Sequence, residues 1–177
     1  MPGESGSELE RLMPEWHFRE VHRVPVPVAT ADVMRAAHAT TWAEAPLARA
    51  LVALTGADVS AHRRIVPDFL GTMGEVVPCP DEEFLFVGAQ APGDVPRPPG
   101  TVLEIVTGCH DPGILKVAMN VRHARGVLST ETRVLATDER TRRRFAPYWY
   151  LVRWGSGLTR RSMLAAVRRR VLREAGG

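Results

Sequence analysis

The stretch 137–173 constrains this chain more than any other part of it. Thr137 or Asp138 can cap a helix N-terminus, and Glu139 places negative charge in the first turn, where the helix dipole favours it. Phe145, Tyr148, Trp149 and Val152 then recur at spacings that put them on one face. Pro147 predicts a kink. Gly155-Ser156-Gly157 predicts a break, with Ser156 as the cap of a second segment. In that segment Met163, Ala166, Val167 and Val171 line one face, while Arg160, Arg161, Arg168, Arg169 and Arg173 occupy the others. Two amphipathic segments of this length need a broad apolar surface to lie on. The residues before them must supply it.

Those residues read mostly as strands. Residues 1–14 carry Gly3, Ser5, Gly6 and Ser7 and read as a flexible lead-in, leaving 15–177 as a single domain. A first strand over 15–24 alternates, with Trp16, Phe18, Glu20, His22 and Val24 on one face. Two short helices follow, over 31–38 with Thr30 as cap and over 43–54, stopped near Gly56. Residues 58–67 read as loop. Further strands are expected over 69–77, 83–89 and 101–107. A proline-rich loop fills 91–100, and a turn fills 108–113. The clearest hairpin joins 114–123 to 127–136 across Arg125-Gly126. In that register Leu115, Val117, Met119 and Val121 face Ala136, Val134, Thr132 and Thr130, which keeps apolar side chains together. Asn120 then pairs with Glu131 and Ala118 with Arg133 on the other face, where the charges read as exposed.

Composition narrows the class. A hydrophobic fraction of 45% and a charged fraction of 24% are those of a globular protein. No run approaches the roughly 20 apolar residues that span a bilayer, so no membrane span is expected. The N-terminus lacks the pattern of a signal peptide, which predicts a cytoplasmic protein. From Asp138 onward there are eleven arginines and three acidic residues, whereas the first 137 residues carry a net charge of −5. A basic tail suggests an anionic partner, although an arginine-rich helix face simply left in water gives the same pattern.

The order of elements, with the tail Leu128-Ser129-Thr130-Glu131-Thr132-Arg133-Val134, then Phe145, Tyr148-Trp149, Gly155-Ser156-Gly157-Leu158 and Met163-Leu164, resembles the helix-grip fold of the START-like (SRPBCC) superfamily. That superfamily includes polyketide cyclase/dehydrase-like proteins, and the wording resembles an uncharacterised bacterial branch. The resemblance spans residues 15–175 in element order and only the last fifty in wording. It implies an α+β fold in which a curved antiparallel sheet of six or seven strands wraps a long C-terminal helix, with two short helices after the first strand. It also implies an apolar cavity between sheet and helix.

The local motifs are weak. Cys109-His110-Asp111 has the letters of a thiol-protease triad, but adjacent residues cannot converge as a triad does. The six histidines lack zinc spacing, the two cysteines lack disulfide-scaffold or metal spacing, and no phosphate-binding glycine loop is present, so no metal or cofactor is expected. The most informative polar pair is Glu20 with His22, on the face that should meet the helix. A carboxylate or imidazole in an apolar cavity can act as a base, although a position near the strand end would leave both in water.

The leading expectation is therefore a binder of a small apolar molecule such as a polyketide, lipid or aromatic metabolite. Its walls are expected from Trp16, Phe18, Phe84, Phe86, Leu103, Ile105, Leu115, Val117, Met119, Val121, Thr130, Thr132, Tyr148, Trp149 and Val152. The alternatives are a cyclase/dehydrase-type enzyme using Glu20 or His22 as proton shuttle, and a non-catalytic partner- or anion-binding protein working through the arginine-rich helix. No specific nucleic acid is expected, and a homodimer is compatible with this reading.

Overall fold

A computed structural model describes residues 6–71, 74–93 and 95–176. Residues 1–5 of the lead-in and positions 72 and 73 of the expected second strand lie outside these. The elements run α1 (Glu8–Leu12), β1 (Phe18–Pro25), α2 (Thr30–Ala39), α3 (Pro46–Ala53), β2 (Glu75–Val77), β3 (Glu83–Gln90), α4 (Val102–Gly108), β4 (Leu115–Ala124), β5 (Val127–Ala136) and α5 (Glu139–Ala175). The strands form one antiparallel sheet in the order β1-β5-β4-β3-β2. The fold is α+β, with five strands among the described residues rather than six or seven.

The register of the β4–β5 hairpin is the one the apolar alternation predicts, from Leu115↔Ala136 to Val121↔Thr130. Arg125 and Gly126 both take positive φ, 52° and 74°, which is the backbone a two-residue turn between twisted strands needs. The first strand pairs with the last, Phe18 opposite Val134 and Glu20 opposite Thr132.

The expected strand over 101–107 is a helix instead. Thr101 Oγ1 accepts from the Glu104 amide and the Glu104 carboxylate accepts from the Thr101 amide, a reciprocal cap. Val102, Leu103, Ile105 and Val106 fall at helical spacing, which the β reading overlooked. The strand expected over 69–77 shrinks to three residues, because Ile65–Leu70 forms a wide helical turn fastened by Arg64 to Asp68. That turn also takes part of the loop expected over 58–67. The second short helix divides at Ala45, into a tight turn at Trp42–Glu44 and α3.

Both faces of the sheet are covered. On the back, α1 docks through fully buried Leu9, with Met13 beside it, against Leu85, Val87 and Ala118. Glu83 on β3 accepts from the amides of Glu8 and Leu9 at the start of α1, and from Asn120 Nδ2. Residues 6–14 are thus packed, where a flexible lead-in was expected. Arg133 and Glu131 depart from the exposed charges expected of them. Arg133 is buried, donates to the Met13 carbonyl at 2.6 Å and lies 4.2 Å from the centre of the Trp16 ring.

On the front, α5 lies over β1 and β5, while α2 lies over β4. Two apolar clusters fill this layer, one around Phe18, Leu115, Val134 and Trp149 and one around Phe84, Phe86, Val121, Leu164 and Val167. Fully buried His123 ties the end of β1 to β4. Its Nε2 donates to the Val26 carbonyl at 2.9 Å, and its Nδ1 is hydrogen-bonded to the Thr30 hydroxyl at 3.0 Å.

Helix α5 is one continuous helix of 37 residues, through Pro147 and through Gly155-Ser156-Gly157. Asp138 caps it, accepting from the Thr141 amide and hydroxyl and from the Gly113 amide. These bonds hold the Asp138 carboxyl down at about 2. A carboxyl depressed in the folded chain stabilises it above the unfolded value and loses that contribution as pH falls through the folded one. Asp138→Asn should therefore lose the part of the acid-induced drop in melting temperature that falls between about pH 4 and 2, measured by thermal melts across that range. Leu9→Ala should cost about 2–5 kcal/mol in a denaturant titration. A cost near zero would restore the picture of a loose N-terminal arm.

Candidate functional site

Three elements bring a polar centre under α5. Alternation puts Phe18, Glu20 and His22 on the front of β1, and Thr132 and Thr130 stand opposite Glu20 and His22 on β5. The helix contributes Gly157 and Arg160. Glu20, Thr130 and Thr132 are buried, and only 11% of the His22 side chain is exposed.

His22 Nε2 lies 2.8 Å from Glu20 Oε1 and donates to it, since a carboxylate only accepts. The Arg160 guanidinium approaches the other carboxylate oxygen at 3.9 Å, an ion-pair distance but not a hydrogen bond. Among the described residues Glu20 Oε2, Thr132 Oγ1 and Arg160 Nη1 are buried without a hydrogen-bond partner. Burial pulls the Arg160 guanidinium below its ordinary value, and the Glu20 charge pulls it back up. An arginine remains charged regardless. The centre therefore pairs a buried cation with a buried carboxylate and leaves a donor, an acceptor and a hydroxyl unfilled.

Gly157 makes this approach workable. A Cβ there would sit 3.0 Å from Glu20 Oε1 and 3.3 Å from His22 Cε1. The Gly155-Ser156-Gly157 segment, read from sequence as a helix break, is where the helix backbone comes down onto β1.

The seam between sheet and helix opens at the start of α5. A cleft of about 580 Å³ lies there, floored by Leu115, Phe145 and Tyr148 and walled by Val95 and Pro112. Asp138, Arg140, Thr141 and Arg144 of the α5 start also line it, with Gln90, Pro92, Gly93 and Gly113. Its floor is continuous with the Phe18–Val117–Trp149 cluster.

The predicted wall residues divide accordingly. Leu115 and Tyr148 line the cleft. Phe18, Val117 and Trp149 pack beneath it. Phe84, Phe86, Met119 and Val121 belong to the second cluster, under α2 and the far end of α5. Thr130 and Thr132 flank the polar centre. Val152 is half-buried on the helix between cleft and centre. Three residues leave the group. Leu103 and Ile105 lie on α4, which packs against β2, β3 and β4 and is not a strand of the sheet. Trp16 precedes β1 and stacks with Arg19 and Arg133, side chains of the back face.

Arg160 was read from sequence only as an outer-face charge. Its spacing from Gly157, one turn on, was the available signal. Three further arginines of that segment are also less free than expected. Arg170 and Arg173 pair with Glu44, and Arg169 donates to the Glu44 carbonyl. Among the described residues no helix is long and apolar enough to cross a membrane.

No family model and no curated protein matches the chain. Among solved structures, the vertebrate conserved region of human METTL16 aligns with 13% identity and a TM-score of 0.34, over 85% of this chain and 98% of that one. A superposition that loose transfers neither fold nor function.

Removing one partner of a buried ion pair leaves the other charge uncompensated, at a cost of about 3–5 kcal/mol. Glu20→Leu and Arg160→Met should each destabilise on that scale. The double variant should cost clearly less than the sum, as measured by a double-mutant cycle of denaturant titrations. Strict additivity would mean that the two groups do not sense each other.

Proposed function

We propose that this protein is a helix-grip domain of the START-like kind that binds a small, largely apolar molecule between its sheet and α5. The observation that carries this reading is the cleft at the start of α5. Its volume lies within the range of about 300–1,000 Å³ typical of small-molecule sites. Its floor is apolar and aromatic, and its rim is polar, so a ligand could bury a hydrophobic body and keep one end at Arg140 or Arg144. The pairing of first strand with last supports the fold part of the reading, because it closes the front face along the line where the helix lies.

A second reading is favoured by Glu20 and His22. A carboxylate in contact with an imidazole, both largely shielded from water, is the arrangement a proton shuttle needs. The unfilled Glu20 Oε2 and Thr132 Oγ1 are where a substrate hydroxyl or carbonyl would be met. Under this reading the reaction is of the cyclase/dehydrase type.

Native mass spectrometry of the purified protein, with titration of an environment-sensitive apolar fluorophore, tests the first reading. The wild type should retain a small hydrophobic mass or bind the fluorophore. Tyr148→Ala should weaken fluorophore binding about tenfold, a loss of about 1.4 kcal/mol. Its melting temperature should stay near wild type, because the ring is more than half exposed. A wild type that holds no mass and binds no fluorophore would sink the ligand-binding reading.

A further inference from the structure

Helix α5 carries an exposed apolar ridge that neither the cleft nor the polar centre uses. Leu151 is 78% exposed, Trp154 82% and Leu158 47%, and Tyr150 beside them is 64% exposed. Leu151, Trp154 and Leu158 are three and four residues apart, so they stand in one row along the helix. The same row continues to exposed Arg140 and Arg144 before the ridge and to exposed Arg161 after it. The result is two turns of large apolar side chains with cations at both ends. Helix α3 lies alongside, where the Ala48 amide donates to Ser162 Oγ, and it adds half-exposed Leu47.

We infer that this ridge docks the protein onto the surface of an anionic phospholipid bilayer. Charge decides first. From Arg140 to Arg173 the helix holds eleven arginines and no acidic residue. A second copy facing the same row would bring only positive charge, and two apolar turns fall short of the several heptads a helix pair needs. The occupant must therefore be apolar at the middle of the row and negative at its ends. Shape decides second. Side chains as exposed as Leu151 and Trp154 protrude, whereas partner helices are received in grooves. A protruding row enters a deformable apolar phase, with tryptophan and tyrosine at the level of the headgroups and arginines reaching the phosphates. Leu151, Trp154 and Leu158 do not line the cleft, while Arg140 and Arg144 belong to both the row and the cleft rim.

Flotation of the full chain with phosphatidylcholine vesicles, with and without phosphatidylglycerol, tests this. Binding should require the anionic lipid and fall with added salt. The Leu151→Ala/Trp154→Ala double variant should partition about tenfold less or weaker still, since each side chain loses burial in the bilayer. It should melt like wild type and keep fluorophore binding in the cleft, because neither side chain lines it. A wild type that ignores phosphatidylglycerol vesicles overturns the inference. So does a double variant that floats as well as wild type. A wild-type dimer that the double variant dissociates would assign the ridge to a second copy, and equal competition by polyglutamate would assign it to an acidic polypeptide.

Discussion

How closely α5 can approach β1 sets the character of the front of the sheet. At Gly157 the helix presents no side chain, and a Cβ there would crowd Glu20 and His22 at 3.0 and 3.3 Å. A helix seated that low drives Arg160 inward and seals the carboxylate beneath it. Nearby, the Phe18 ring meets Trp149 tilted at 5.6 Å and Phe145 edge-on at 5.3 Å between centroids. Glycine inside a helix costs about 1 kcal/mol relative to alanine. Here the tertiary contact outweighs that cost, which is why the helix runs on through a segment whose local propensity favours stopping.

The second constraint is electrostatic. A chain with this many arginines must place them, and most of those at the C-terminal end of α5 are placed against the protein itself. Glu44, in the turn before α3, gathers Arg170 and Arg173 and so fastens that end of the helix to the α2–α3 region. Its carboxyl is held below the ordinary range by the Thr41 backbone and by these arginines, against the upward push of burial. On the back of the sheet Glu131 joins Arg19 and Arg133 in the same manner. The arginines at the first half of α5 have less such company. That contrast separates the arginines that hold the fold from those that face outward around the exposed ridge.

Between these two devices lies the proposed chemistry. The cleft supplies apolar volume near the start of α5, and the polar centre supplies a proton-bearing pair further along it. Val152, half-buried, sits between them on the helix. Glu20, Thr132 and Arg160 do not line the cleft, so the two are separate features of the front face.

Alternation and spacing settled much of the architecture. The hairpin register followed from keeping Val117, Met119 and Val121 on one face, because slipping by one residue would expose them all. The Asp138 cap, the first strand with its Glu20 and His22 face, and helical conformation over 139–173 were equally local. Helix α4 is legible too, in the Thr101–Glu104 cap, which competes with the β pattern of 101–107. What sequence could not supply were the effects of distance. Pairing of β1 with β5 joins residues more than a hundred positions apart, and it alone sets Thr132 opposite Glu20. The burial of Arg133 and Arg160 reverses what their charge predicts, because each meets its partner from a remote element. The reading of Gly155-Ser156-Gly157 as a break rested on propensity, which acts over a few residues. The observed continuity rests on packing against β1, a contact that exists only once the sheet is assembled.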